Sequence, residues 1–300
     1  MTPRSRIMLV FNGICLIWGS TFVALKMGLE EGTPPLLGVA LRHLLASLIL
    51  FGIIRLKGYS IPTDSMAWKQ YLTLGLLNFS LSYSLTYSGA QFIYSNIAAL
   101  LWASVPMTTA LVAHFALPAE RLRPMKALGI MIGFGGVVLI FYGYGFGQSR
   151  NLLLGMSLVM GAVLAGTWPS IYLKRTGARS NVIVLNGVAT GIGGLATLVI
   201  SLLVEDPGQM VWSPANLGLL AYLAFFGTVM AWVSYFYLLE RIEVVTLSFV
   251  GFIAPLIAIF MGVLVLGEHL PSVVYLGAGL VLGGIFISDT PRYLRLARGG

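Results

Sequence analysis

AERLRPMKALGIMIGFGG, residues 119–136, and GEHLPSVVYLGAGLVLGG, residues 267–284, are one pattern written twice. Glu120 and Leu122 correspond to Glu268 and Leu270, Gly129 to Gly277, Gly135 to Gly283 and Gly136 to Gly284, all at an offset of 148 residues. Slightly upstream, Pro106 corresponds to Pro255 at an offset of 149, and the tyrosine-rich stretch around Tyr83 aligns with the aromatic one around Trp232 and Tyr235. Self-similarity over such a distance marks a duplicated unit. The copies are residues 1–145 and 146–300.

Each quoted stretch is a polar turn followed by an apolar run. A bilayer-crossing helix needs about 20 apolar residues, and ten runs of that order account for nearly the whole chain. They are residues 7–26, 34–54, 68–88, 92–117, 125–144, 152–173, 181–204, 215–238, 245–266 and 271–288. The composition agrees, with 58% hydrophobic and 9% charged residues against about a quarter charged in soluble domains. The fold class is therefore all-α integral membrane. The short connections hold no soluble domain for separate chemistry.

The net charge of +8 raises a nucleic-acid partner, but the basic residues lie between apolar spans and set topology instead. With the N-terminus inside, all but Lys26, Arg42 and Arg150 of the 18 Lys and Arg fall in cytoplasmic segments. The expected partners are the lipid bilayer and a small-molecule substrate, with no nucleic acid. Both termini are expected in the cytoplasm and the protein in the inner membrane. Residues 1–26 also resemble a signal peptide, but the run is of full spanning length and lacks a small-x-small cleavage site. Cys15 stands alone, which excludes an intramolecular disulfide and a cysteine metal cluster.

Five helices per copy is an odd number, so the second copy enters the bilayer from the opposite side and the repeat is inverted. Loop charge agrees. The turn at Glu120 carries Arg121, Arg123 and Lys126, whereas its counterpart at Glu268 has neither Lys nor Arg.

These residues resemble the drug/metabolite transporter superfamily, in its EamA-type branch. The likeness is carried by Trp18-Gly19-Ser20-Thr21-Phe22, by Ala40-Leu41-Arg42-His43-Leu44-Leu45-Ala46, and by the two Glu-x-Leu turns with their glycines. Ala119-Glu120 departs from the Gly-Glu that the family often has. The aromatic third and fourth spans are similar to the YddG-type aromatic amino acid exporters. The resemblance implies ten helices, cytoplasmic termini and efflux of amino acids or related metabolites.

Candidate substrate contacts follow from polar and aromatic groups in mid-span. At 100° per residue Phe79, Ser82, Tyr83, Thr86 and Tyr87 share a face of the third span, with Asn78 beside it. That face is expected to line a cavity, its rings taking an apolar side chain and its polar groups the ammonium and carboxylate. Interhelical hydrogen bonding is the competing account. Trp102 and Trp168 lie too deep for an interfacial belt, and Trp232 and Tyr235 echo the third span. His43, next to Arg42, is a candidate for a substrate carboxylate or for pH sensing, although both lie toward the outer side. Pro106 and Pro255 each remove a helical hydrogen bond and are read as paired hinges, with a packing kink as the alternative. The freed carbonyls around Trp102 and Gly251 are candidates for an ammonium group. Gly129, Gly133, Gly279 and Gly283 fit small-xxx-small helix packing, within a monomer or across a homodimer.

All ten acidic residues fall at span ends or in connections, so no carboxylate is placed for an ion relay. Facilitated efflux is the expectation, with proton coupling through His43 as the alternative. No P-loop occurs, nor any paired-His motif or catalytic triad, so the chain is not expected to be an enzyme or to hold a cofactor or metal. An intramembrane enzyme would need a nucleophile or metal ligands that the spans do not gather.

Overall fold

The structure is a computed structural model, described for residues 3–118, 124–143, 150–267, 272–273, 275–284 and 287. The turns of the two Glu-x-Leu motifs, Glu120 to Leu122 and Glu268 to Leu270, lie outside the described residues, as do Arg292, Arg295 and Arg298. Among the described residues every regular element is helical: α1 (Pro3–Glu30), α2 (Pro35–Lys57), α3 (Ser65–Leu72), α4 (Tyr83–Ala90), α5 (Ser95–Trp102), α6 (Val105–Ala116) and α7 (Pro124–Gly143) come first. They are followed by α8 (Arg150–Thr176), α9 (Val182–Val204), α10 (Pro214–Ala224), α11 (Ala231–Leu239), α12 (Val244–Leu247) and α13 (Val250–Leu266), then by α14 (Tyr275–Gly284). A π-helical stretch, Thr73–Ser82, joins α3 to α4, and a second, Phe225–Met230, joins α10 to α11.

Among the described residues six helical runs are long and apolar enough to cross a bilayer: Ser5–Glu30, Pro35–Lys57, Ile97–Ala116, Asn151–Thr176, Val182–Val204 and Pro214–Leu239. The chain is a multi-pass membrane protein. The other four expected spans also meet helical segments: the column from α3 to α4, then α7, then α12 with α13, and α14.

Local chemistry sets the ends of these helices. Asp64 accepts the Met66 and Ala67 N–H groups at the start of α3, and Asn181 accepts that of Ile183 at the start of α9. Each satisfies donors that a helix leaves open. Gly58 and Gly177 stop α2 and α8 in the left-handed region at φ 66° and 70°. The first turn of α2 is capped from another helix: Glu205, just past α9, accepts Leu36 N–H at 2.8 Å and Leu37 N–H at 2.9 Å.

Close helix contacts are made where side chains are absent. Along α9, Gly187, Gly191 and Gly194 lie against Leu50, Ser47 and Leu44 of α2, and Ser47 donates to the Gly187 carbonyl at 2.8 Å. α7 and α14 meet backbone to backbone. A Cβ on Gly136 would lie 2.5 Å from the Gly277 carbonyl oxygen, and one on Gly284 would strike the Gly129 carbonyl and Gly133. Gly279 and Gly283 have open space around them instead. Packing in α14 thus runs through Gly277 and Gly284, whose two-turn spacing matches that of Gly129 and Gly136. Closer to the centre, residues 149 apart touch: Trp232 Nε1 donates to the Tyr83 hydroxyl at 2.8 Å, and a Cβ on Gly251 would lie 3.1 Å from the Trp102 carbonyl oxygen.

Candidate functional site

Where α1, α2, α4, α5, α8, α11 and α13 converge they leave a cavity of about 110 Å³. One water needs on the order of 10–15 Å³, so the space suits a small organic molecule. Of the residues read from sequence, Asn78, Tyr83, Tyr87, Trp102, Trp232, Tyr235 and Pro255 line it. Phe79 is fully buried behind this wall, with its ring 5.2 Å from His43 and 5.3 Å from Trp232. His43 is likewise buried, packed edge-on at 4.6 Å against Tyr83, and neither ring nitrogen has a protein partner. Ser82 faces α8 and donates to the Ala162 carbonyl at 2.8 Å. Trp168 stands on the outer face of α8, 38% exposed, with its ring centre 6.3 Å from that of Tyr172. Pro106 is the second residue of α6 and packs beside Gly251, at the edge of the cavity wall.

The π-helical stretches explain which side chains reach the cavity. A π-turn closes i→i+5 rather than i→i+4, so Asn78 and Tyr83, five apart, fall on the same wall while Phe79 turns behind it. In the second stretch the Thr228 hydroxyl donates to the Leu223 carbonyl five residues back, at 3.1 Å. The displaced groups of this turn receive Arg42, the one charged residue among the described lining residues. Arg42 Nε donates to Thr228 Oγ1 at 2.7 Å, and Nη2 donates to the Gly227 carbonyl at 2.9 Å. Nη1 donates to the Tyr87 hydroxyl at 3.1 Å, and the guanidinium lies 4.8 Å from the Tyr83 ring centroid. Arg42 is only 2% exposed and makes no ion pair among the described residues.

Tyr83 links Arg42 to an aromatic cluster on the wall. Trp18 lies 5.1 Å from Trp232 and 5.5 Å from Tyr235, and Trp232 lies 5.2 Å from Tyr235, ring centre to ring centre. Edge-to-face and offset rings of this kind hold one another in place. The Tyr235 hydroxyl donates to Ser170 Oγ at 3.2 Å. Three N–H groups on lining residues have no protein partner: Trp18 Nε1, Trp102 Nε1 and Asn78 Nδ2. Ser170 carries no signal in the sequence, Trp18 stands near mid-span with helix packing as an equal account of its motif, and Arg42 counts as lying toward the outer side. The motif around Trp18 and the lone arginine within an apolar span were the available signals.

A cavity where membrane-length helices converge, lined by rings and an arginine among the described residues, fits a membrane transporter. The EamA-like transporter family matches residues 5–142 and again residues 153–288, and the chain belongs to that family, within the drug/metabolite transporter type. Its curated relatives include the uncharacterized transporter YoaV of Bacillus subtilis, 28% identical over 94% of this chain and 96% of that protein. The uncharacterized inner membrane transporter YedA of Escherichia coli K12 is 26% identical over 93% of this chain and 89% of that protein. A WAT1-related chloroplast protein of Arabidopsis thaliana is 28% identical over 91% of this chain and 67% of its own length. A solved crystal structure, 20% identical, has the same fold with a TM-score of 0.75 over 97% of this chain and 99% of that one.

Proposed function

We infer that the chain is a secondary transporter that exports neutral amino acids, aromatic ones included, or related small metabolites by alternating access. In this reading ten spans form two inverted five-helix halves, residues 1–145 and 146–300, with both termini in the cytoplasm. The observation that carries it is a cavity lined from both halves. Trp18, Tyr83 and Trp102 come from the first, and Ser170, Trp232 and Pro255 from the second. Contacts between residues 149 apart, Tyr83 with Trp232 and Trp102 with Gly251, are what a two-fold axis between the halves would produce, and two family matches in tandem agree with a duplication. Inverted-repeat transporters hold substrate between their halves and exchange the conformations of the two copies. Export as the direction, and amino acids as the cargo, come from the resemblance to YddG-type exporters.

Facilitated efflux fits a wall without acidic side chains among the described lining residues. The test is counterflow into proteoliposomes with a panel of labelled amino acids, repeated with Tyr83→Ala and Trp102→Ala. Saturable counterflow of at least one neutral amino acid is expected, and intact protein that moves none of them ends the reading. Proton coupling is the second reading, favoured by His43, which touches Tyr83 and has two unpartnered nitrogens. Flux that follows an imposed pH gradient would establish it over uniport.

A further inference from the structure

We propose that the cavity recognises a carboxylate through Arg42 and leaves any ammonium group on the same molecule unread, so that plain organic acids bind as well as amino acids of the same skeleton. This rests on the cavity being the transport site. A guanidinium has five N–H donors; three of Arg42's go to Thr228, Gly227 and Tyr87, all neutral. Its charge has no counter-ion among the described residues, and a buried charge without one is costly. An arriving carboxylate supplies that counter-ion and accepts from a planar fork suited to it.

Further donors belong to the lining residues: the buried N–H groups Trp18 Nε1, Trp102 Nε1 and Asn78 Nδ2 have no partner among the described residues. An ammonium group needs a counter-charge or several acceptors, and the described wall offers only neutral acceptors, of which three hydroxyls are already engaged. The Tyr83 hydroxyl accepts from Trp232, the Tyr87 hydroxyl accepts from Arg42, and Ser170 Oγ accepts from Tyr235. The Trp102 carbonyl, denied an N–H four residues on because Pro106 has none, is covered by Gly251. No Asp or Glu lies on the described wall.

The test uses the full chain in detergent and four probes: 3-phenylpropionate, 3-phenylpropionamide, phenylalanine and phenylalaninamide, each titrated by calorimetry. Both acids are expected to bind with Kd values within roughly threefold of one another and both amides about tenfold or more weaker, since a charge-assisted pair is replaced by a neutral one. In Arg42→Gln the preference for acid over amide disappears, and in Arg42→Lys part of it remains. The wild-type series stands by itself if a variant fails to fold. Amides that bind as tightly as acids overturn the proposal, as does binding of phenylalanine without 3-phenylpropionate, or silence from all four probes. Its failure is separable from failure of the transport reading: flux of phenylalanine and its amide alike keeps transport and removes the carboxylate claim, whereas tight binding of both acids without flux does the reverse.

Discussion

The columns 95–116 and 244–266 are both broken by two residues at the level of the cavity, and they are broken differently. Ala103–Ser104 separates α5 from α6, and Ser248–Phe249 separates α12 from α13. At each break a serine hydroxyl folds back onto the carbonyl three residues earlier, Ser104 onto Leu101 and Ser248 onto Val245, both at 2.7 Å. The prolines do not share this equivalence. Pro106 stands in the first turn of α6, where a missing N–H costs nothing, whereas Pro255 sits inside α13, where it removes a helical bond. The side chains differ as well: Trp102 presents an indole to the cavity where its counterpart, Gly251, makes room for the Trp102 carbonyl. The two columns thus share a broken backbone and differ in what they present to the cavity.

The largest effect is expected from adding bulk where the two columns meet. Gly251→Leu puts a Cβ 3.1 Å from the Trp102 carbonyl and 3.3 Å from Val105 Cβ. Overpacking of this sort costs about 1–3 kcal/mol; thermal unfolding should show the loss, and proteoliposome flux should fall to near background. A stable and fully active variant would mean that the breaks are not pressed together in the working protein. Next, Trp102→Ala should lower counterflow about tenfold, equivalent to about 1.4 kcal/mol, while Trp168→Ala, outside the cavity, leaves it within a factor of about two. Removing one serine hydroxyl, in Ser104→Ala or Ser248→Ala, should lower stability by about 1 kcal/mol each. Markedly unequal shifts in denaturation midpoint would break the equivalence of the breaks. Smallest is the proline pair. Pro106→Ala should change stability by no more than about 1 kcal/mol and flux hardly at all, whereas Pro255→Ala regains a helical bond and should slow flux if bending there belongs to the cycle.

Much of this arrangement was legible from hydropathy and repeat alone, since apolar length and the offset of 148 to 149 residues depend only on the order of residues along the chain. Asn78, Tyr83, Tyr87, Trp102, Trp232 and Tyr235 were readable because a polar or aromatic group in mid-span must avoid lipid. What escaped was rotation about a helix axis. The 100° rule put Phe79 on the face of Tyr83, but the π-helical stretch turns the wall toward Asn78. Trp168 looked deep by its distance along α8. Yet Thr167 and Ser170, both buried, mark the inward face, and Trp168 is turned about 100° from Thr167. Arg42 was placed near the outer interface by counting residues from the end of its span. Its partners, Gly227 and Thr228, lie about 185 residues away in a bulge that no local pattern announces.

Arg42 rides on α2, and α2 is fastened to α9 by the glycine contacts along their length and by Glu205 at the head of α2. Any step in which this pair tilts or slides carries a positive charge with it through the electric field of the membrane. One elementary charge crossing the full field is worth about 2.3 kcal/mol per 100 mV, so a passage through one tenth of it amounts to roughly 0.2 kcal/mol. A carboxylate bound to Arg42 would cancel that charge. The empty protein would then feel the membrane potential on its return and the loaded one would not, and the turnover rate would depend on voltage through the half of the cycle in which nothing is carried.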